Sequence, residues 1–109
     1  MKYICNEILF ELCQHDKVPI IREKTATLIF ELINKNSYQS ILEIGTAYGF
    51  STLIWNEANS IQSIVSIEKN VDSYCIAKQY LNNEQKITLI NDDAFEYLPK
   101  RQFDVIFLD

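Results

Sequence analysis

The 109-residue sequence is poor in the residues that break or bend a backbone, with two glycines and two prolines. Both glycines lie in one segment, Ile41-Leu42-Glu43-Ile44-Gly45-Thr46-Ala47-Tyr48-Gly49-Phe50-Ser51. Glycine permits positive φ and close backbone approach, so a chain that avoids it elsewhere needs that freedom here. Cys5, Cys13 and Cys75 are odd in number and lack CxxC spacing. They argue against a disulfide framework or a zinc site and suit buried thiols in a reducing cytosol. No apolar run approaches the ~18 residues that span a bilayer. The N-terminal residues carry an early acid and no small-residue cleavage site, so a cytoplasmic protein without a signal peptide is expected. Basic charge is also short: ten Lys and Arg against fifteen Asp and Glu, a net charge of −5. That balance disfavours sequence-blind nucleic-acid binding through a basic face. Hydrophobic content of 48% with 23% charge describes a single globular domain.

Tyr3, Ile4, Ile8, Leu9 and Leu12 recur at three- and four-residue spacing, which predicts an amphipathic helix over 2–14. His15-Asp16-Lys17-Val18-Pro19 ends it, because proline cannot continue a helix and holds the preceding residue extended. A second helix is predicted over 22–36, with Ala26, Ile29, Leu32 and Ile33 inward. Alternation follows, with strands at Ser40–Ile44, Ser63–Ile67, Ile87–Ile90 and Phe103–Leu108. Helices are expected over Phe50–Ala58, Val71–Leu81 and Ala94–Leu98, the last stopped by Pro99. Apolar strands without period-two alternation predict a parallel sheet buried on both faces. The fold class is therefore α/β, a Rossmann-like doubly wound parallel sheet of about four strands preceded by two helices. Such sheets run in the order 3-2-1-4-5 and usually continue. Residues 1–109 are thus expected to be the N-terminal, cofactor-binding part of one larger domain, with strand four an exposed apolar edge.

Four features could carry chemistry. Backbone N–H groups between Gly45 and Ser51, at a helix start, would attract an anionic group. The G-x-x-x-G spacing is not the G-x-G-x-x-G of dinucleotide enzymes, and Glu43 in the preceding strand suits an ammonium and sulfonium better than a pyrophosphate. Glu68 ends strand two, near the distance at which an acid holds ribose hydroxyls. Asn91-Asp92-Asp93-Ala94 follows strand three, where Asp92 suits a helix cap and Asp93 either a cap or a partner for an exocyclic amine. Asp109 stands at the carboxyl end of strand four, where open α/β sheets bind ligands, as a hydrogen-bond acceptor or a ligand for Mg²⁺, Ca²⁺ or Mn²⁺. His15 reads as a surface residue and Trp55 as packing. Tyr48 reads as packing within a turn that could line a pocket, and Glu7, Glu11 and Glu23 as solvated helix faces.

In this order the features resemble class I S-adenosylmethionine-dependent methyltransferases. More narrowly, they resemble the metal-dependent O-methyltransferases that include catechol and caffeoyl-CoA methyltransferases. The stretch His15-Asp16-Lys17-Val18-Pro19-Ile20 is similar to bacterial members that methylate 5-hydroxyuridine at the tRNA wobble position. The resemblance implies that Glu43 and the turn Gly45, Thr46 and Gly49 hold the methionine part of S-adenosyl-L-methionine, with the Ser51 hydroxyl on its carboxylate. It implies Glu68 on the ribose, Asp93 and Ala94 at adenine, and Asp109 near the sulfonium as the first ligand of Mg²⁺ or another divalent cation. Backbone near Val18–Ile21 would close over the cofactor, and no catalytic residue falls within the chain. Asp92 departs from the pattern, where relatives often have glycine. The acceptor would be tRNA or a small catechol-like molecule, its hydroxyl acidified by the chelating metal, and the full-length form a homodimer. A non-catalytic adenosylmethionine-binding module is the alternative of a different class. A nicotinamide enzyme is disfavoured by the glycine spacing and by Glu43.

Overall fold

The computed structural model describes residues 6–97 and 101–109. Helices α1 (Glu7–His15) and α2 (Glu23–Asn36) precede β1 (Ser40–Ile44), α3 (Phe50–Asn56), β2 (Ser63–Glu68), α4 (Val71–Leu81), β3 (Ile87–Asn91) and β4 (Val105–Leu108). The four strands form one parallel sheet in the order β3-β2-β1-β4. This is the Rossmann-like arrangement expected from the alternation. The chain winds outward from β1 through β2 to β3, then crosses back to place β4 on the other side of β1. A crevice opens at such a reversal, outside the carboxyl ends of the strands. Among the described residues no helix is long and apolar enough to cross a membrane.

Local chemistry sets several boundaries. The Asn6 side chain accepts the Leu9 N–H at 2.9 Å to start α1, and Asn70 accepts that of Ser73 at 2.9 Å to start α4. The sheet register places Ile41, Ile64, Ile87 and Val105 on one face, followed by Glu43, Ser66, Leu89 and Phe107. That face carries the helices: Leu9 and Cys13 of α1, Ala26 and Ile33 of α2, Leu53 to Trp55 of α3 and Leu81 of α4 join one buried cluster with Ile41 and Ile64. On the other face Leu42, Val65 and Ile67 are buried with Tyr97 and Phe103 packed against them. Ile106 and Leu108, in register with Leu42 and Ile44, remain 61% and 71% exposed.

Several expectations need correction. Only β1 and β2 are buried on both faces; β3 and β4 are at most half-buried, because each is an outer strand with one neighbour, and β4 alternates. Residues 94–96 form a single turn, with the Glu96 and Tyr97 N–H groups both on the Asp93 carbonyl, rather than a helix. Leu98 and Pro99 lie outside the described residues, as do Tyr3 and Ile4. β4 starts at Val105 because the Asp104 carboxylate takes the N–H groups of Gln39 and Ser40, at 2.7 and 3.3 Å, in place of a ladder partner. α3 ends at Asn56 because Glu57 and Ala58 close tighter bonds to Ile54 and Trp55. Leu32, expected inward, is 46% exposed, and Ile8 is 70% exposed.

Gly49 joins the start of α3 to α4. Its φ is +92°, and an added Cβ would lie 2.8 Å from Leu81 Cδ1 in the buried core. Gly49→Ala is therefore expected to destabilise the fold by about 2–4 kcal/mol, combining left-handed strain with overpacking. Thermal unfolding checks this, and an unchanged midpoint contradicts it.

Candidate functional site

The crevice has two lobes flanking Gly45. The wide lobe, about 250 Å³, lies between the ends of β2 and β3 and is lined by Gly45, Glu68, Lys69, Asp93, Ala94 and Phe95, among others. The narrow lobe holds only about 10 Å³ between Thr46–Tyr48, Phe50 and Ser51 on one side and Cys13 with Val18–Ile21 on the other, with Asp109 also lining it. An added Cβ on Gly45 would sit 3.3 Å from the Cβ of Asp109, so the first glycine lets β4 end against the turn. Glycine at 45 and 49 thus makes room for Asp109 and Leu81, two parts of the protein itself.

The turn is tightly wound, with Gly45, Ala47 and Gly49 all left-handed at φ 98°, 50° and 92°. Four of its N–H groups are occupied internally. Gly45 and Thr46 donate to the Ile67 carbonyl at 2.8 and 3.2 Å, and Gly49 donates to that of Thr46 at 2.8 Å. Ala47 donates to Glu68 Oε1 at 2.7 Å. The anion cradle expected between Gly45 and Ser51 is correspondingly reduced, because a turn folded onto the end of β2 satisfies its own backbone.

Glu43 also differs from expectation. Its side chain is 0% exposed, in the middle of the sheet between Ser66 and Phe107 and beneath Trp55. Oε2 accepts the Ser51 hydroxyl at 2.7 Å and the Trp55 indole N–H at 3.1 Å. Oε1 accepts the hydroxyls of Thr52 at 2.5 Å and Ser66 at 2.7 Å. Thr46 hydrogen-bonds Ser66 at 2.6 Å, so Ser66, which donates to Glu43, accepts from Thr46. Glu43 therefore does not reach a ligand; it fixes the hydroxyls of Ser51 and, through Ser66, of Thr46, which border the narrow lobe. Burial raises its carboxyl above the ordinary range, and the four donors oppose that shift.

The acids at the strand ends stand where the reading of the strands placed them. Glu68 ends β2, and its Oε2 takes the Asn70 N–H at 2.9 Å while Oε1 holds Ala47, leaving outward lone pairs on both oxygens. Asp92 accepts the N–H of Asp93 at 2.7 Å, and Asp93 that of Phe95 at 2.9 Å, so both cap a turn rather than a helix. Lys69 Nζ lies 3.6 Å from the other Asp93 oxygen. Asp109 donates its N–H to the Ile44 carbonyl at 3.0 Å, which seats its carboxyl beside Gly45. Burial chiefly, and the charge of Glu68, raise that carboxyl. Among the described residues no group of three His, Cys, Asp or Glu side chains could hold a metal ion. Asp109 by itself does not fit a hard cation, which takes several oxygens.

Sequence reasoning missed Lys69, Phe95 and Asp16. Lys69 was legible as the neighbour of Glu68. Phe95 is 94% exposed at the rim of the wide lobe, and the expected helix over Ala94–Leu98 concealed it. Asp16 bonds the Tyr48 hydroxyl at 2.6 Å across 32 residues, a pairing with no local signal. His15 is exposed and bonds Asp16, and Glu7, Glu11 and Glu23 are solvated, as expected.

Replacing Glu43 tests its buried network. Glu43→Leu strands the Trp55 N–H and is expected to cost about 3 kcal/mol or more. Glu43→Gln costs less, because the Thr52 and Ser66 hydroxyls can turn to accept from the amide. With the carboxyl raised, the folded chain holds that proton more tightly than the unfolded chain. This contribution is full below the ordinary carboxylate value and is lost as pH rises through the raised one. The stability of Glu43→Gln relative to wild type should therefore rise from acid toward neutral pH. Denaturant titrations across pH decide it, a flat difference being the contrary outcome.

No family model matches the chain, and no curated protein matches it. Solved structures do. A Staphylococcus aureus protein described as a caffeoyl-CoA O-methyltransferase superposes with a TM-score of 0.83 at 33% identity, over 92% of this chain and 51% of that one. An O-methyltransferase from Bacillus cereus, in complex with SAH, gives 0.80 at 22% identity over 94% and 52%. An SAH-bound methyltransferase from Podospora anserina gives 0.80 at 20% identity over 97% and 51%. The chain spans about half the length of these proteins. The fold is that of O-methyltransferases of known structure, and the S. aureus likeness extends to a third of the aligned sequence.

Proposed function

We propose that this chain is the cofactor-binding part of an S-adenosylmethionine-dependent O-methyltransferase. The observation that carries this is the crevice's charge. Glu68, Asp93 and Asp109 stand at or just beyond the carboxyl ends of β2, β3 and β4, while the one cation among the described lining residues, Lys69, is paired with Asp93. Carboxylates are acceptors, suited to ribose hydroxyls, an exocyclic amine and a cationic ammonium or sulfonium. A pyrophosphate would meet like charge and turn N–H groups already engaged. Bound adenosylmethionine supplies a methyl group activated by its sulfonium. The chain's own residues hold it: Glu68 the ribose, Asp93 and the Ala94 backbone the adenine, and Asp109 the cationic end. Thr46 and Ser51 form the wall against which the amino-acid end rests, Gly49 shapes the turn between them, and Gly45 separates the two lobes. Such positioning supplies much of the acceleration in transfer to an oxygen nucleophile.

For the acceptor, the stretch from His15 to Ile20 supports a 5-hydroxyuridine in tRNA. A small catechol-like hydroxyl is the second possibility, favoured by the description of the S. aureus relative. Methyl transfer to either would take place in the cytoplasm, in a homodimer. A divalent cation would belong at Asp109 only with oxygen ligands additional to the described residues.

Calorimetry is expected to show adenosylhomocysteine binding more tightly than NAD, and Glu68→Ala weakening it by about 1–3 kcal/mol, the scale for a hydrogen bond to a charged group. Tighter binding of NAD would sink the proposal. An unchanged affinity in Glu68→Ala would leave Glu68 as a brace for Ala47 and Asn70.

A further inference from the structure

The two lobes differ in volume by more than an order of magnitude, about 250 against about 10 Å³, and the narrow one has room for no more than one water molecule. What closes it is the segment between α1 and α2. Lys17 turns the chain at φ 58°, and the Val18 N–H returns to the Cys13 carbonyl at 2.8 Å, so the start of the segment is hooked to the end of α1. Val18, Pro19, Ile20 and Ile21 then pass over the turn and line the lobe. Across the gap, Tyr48 stands between left-handed Ala47 and Gly49, and its hydroxyl donates to Asp16 Oδ2 at 2.6 Å. The other Asp16 oxygen is engaged by His15 Nδ1 at 2.9 Å. The Asp16–Tyr48 bond thus ties the end of α1 to the turn.

We propose that the Asp16–Tyr48 hydrogen bond is a latch that holds residues 17–21 down over the turn and keeps the narrow lobe shut until a ligand enters it. Tyr48 and Asp16 are then positioning residues, since their bond acts by holding the segment rather than on the ligand. A ligand confined to the wide lobe leaves the latch closed, whereas one that extends past Gly45 toward Ser51 opens it. Which ligand does so rests on the function proposed above: adenosine would occupy the wide lobe alone, and adenosylhomocysteine both lobes.

Cys13 reports the state of the latch, because it is 1% exposed and lines the narrow lobe, while Cys75 is exposed. In a Cys5→Ser, Cys75→Ser background, Tyr48→Phe removes one hydroxyl, keeps the ring, and leaves the Asp16 charge beside the thiol. It is expected to speed alkylation of Cys13 by a neutral maleimide about tenfold, the scale of losing one hydrogen bond to a charged group. Hydrogen exchange at the Val18, Ile20 and Ile21 amides should quicken with it. Ile90→Val, on the opposite sheet face, is the control for general loosening and should leave the labelling rate within about twofold. An unchanged rate in Tyr48→Phe, or an equal rise in Ile90→Val, overturns the latch. In the wild type, adenosylhomocysteine should change the Cys13 labelling rate and adenosine should not. If neither ligand has an effect while Tyr48→Phe still labels faster, the latch stands and the assignment of the ligand falls.

Discussion

A carboxylate in the centre of a parallel sheet constrains everything around it. Glu43 lies on β1 with no water contact, so its two oxygens must be satisfied by the protein. The register of β2 brings Ser66 beside it, and α3 supplies Ser51, Thr52 and Trp55 from one face of a seven-residue helix. Those bonds fix the rotation and height of α3 above the sheet. They thereby fix where the Gly45–Gly49 turn must run. A hydrophobic residue at position 43 would pack, but it would not specify this orientation of the helix.

Because the turn is determined from beneath, the N–H groups of Gly45, Thr46, Ala47 and Gly49 are engaged within the protein. The crevice instead presents side chains at the strand ends, and these are acidic. The electrostatic character of the site follows from topology. The parallel strands carry Glu68 and Asp109 to one edge, and the loop after β3 adds Asp93. The like charge of Glu68 contributes to raising the Asp109 carboxyl, a cost that a cationic ligand group would offset.

Elements whose signals are local were legible. β1 and α4 fall on the expected residues because an apolar run, an Asn cap and a three- to four-residue period each act over a few positions. Strand four was read too long because Asp104 looks like an ordinary strand residue until Gln39 and Ser40, 65 and 64 positions away, claim its carboxylate. The helix expected at Ala94–Leu98 rested on composition; Asp93 instead gathers both the Glu96 and Tyr97 N–H groups on its carbonyl and closes a single turn. The acids at positions 68, 93 and 109 were recognisable because strand ends are visible in sequence. The role of Glu43 was misjudged for the opposite reason, since depth in a sheet is not.

By itself the sequence determined the alternation of elements, the parallel sheet, the single glycine-bounded turn and the acids at the strand ends. Each depends on residue type and short spacing. Only the tertiary structure decided that Glu43 faces inward, that the two glycines make room for Asp109 and Leu81, and that Tyr48 meets Asp16. Those outcomes depend on the register of β1 against β2 and β4 and on the packing of α3 and α4. Contacts of that kind join residues far apart in the chain, and no pattern along the chain encodes them singly.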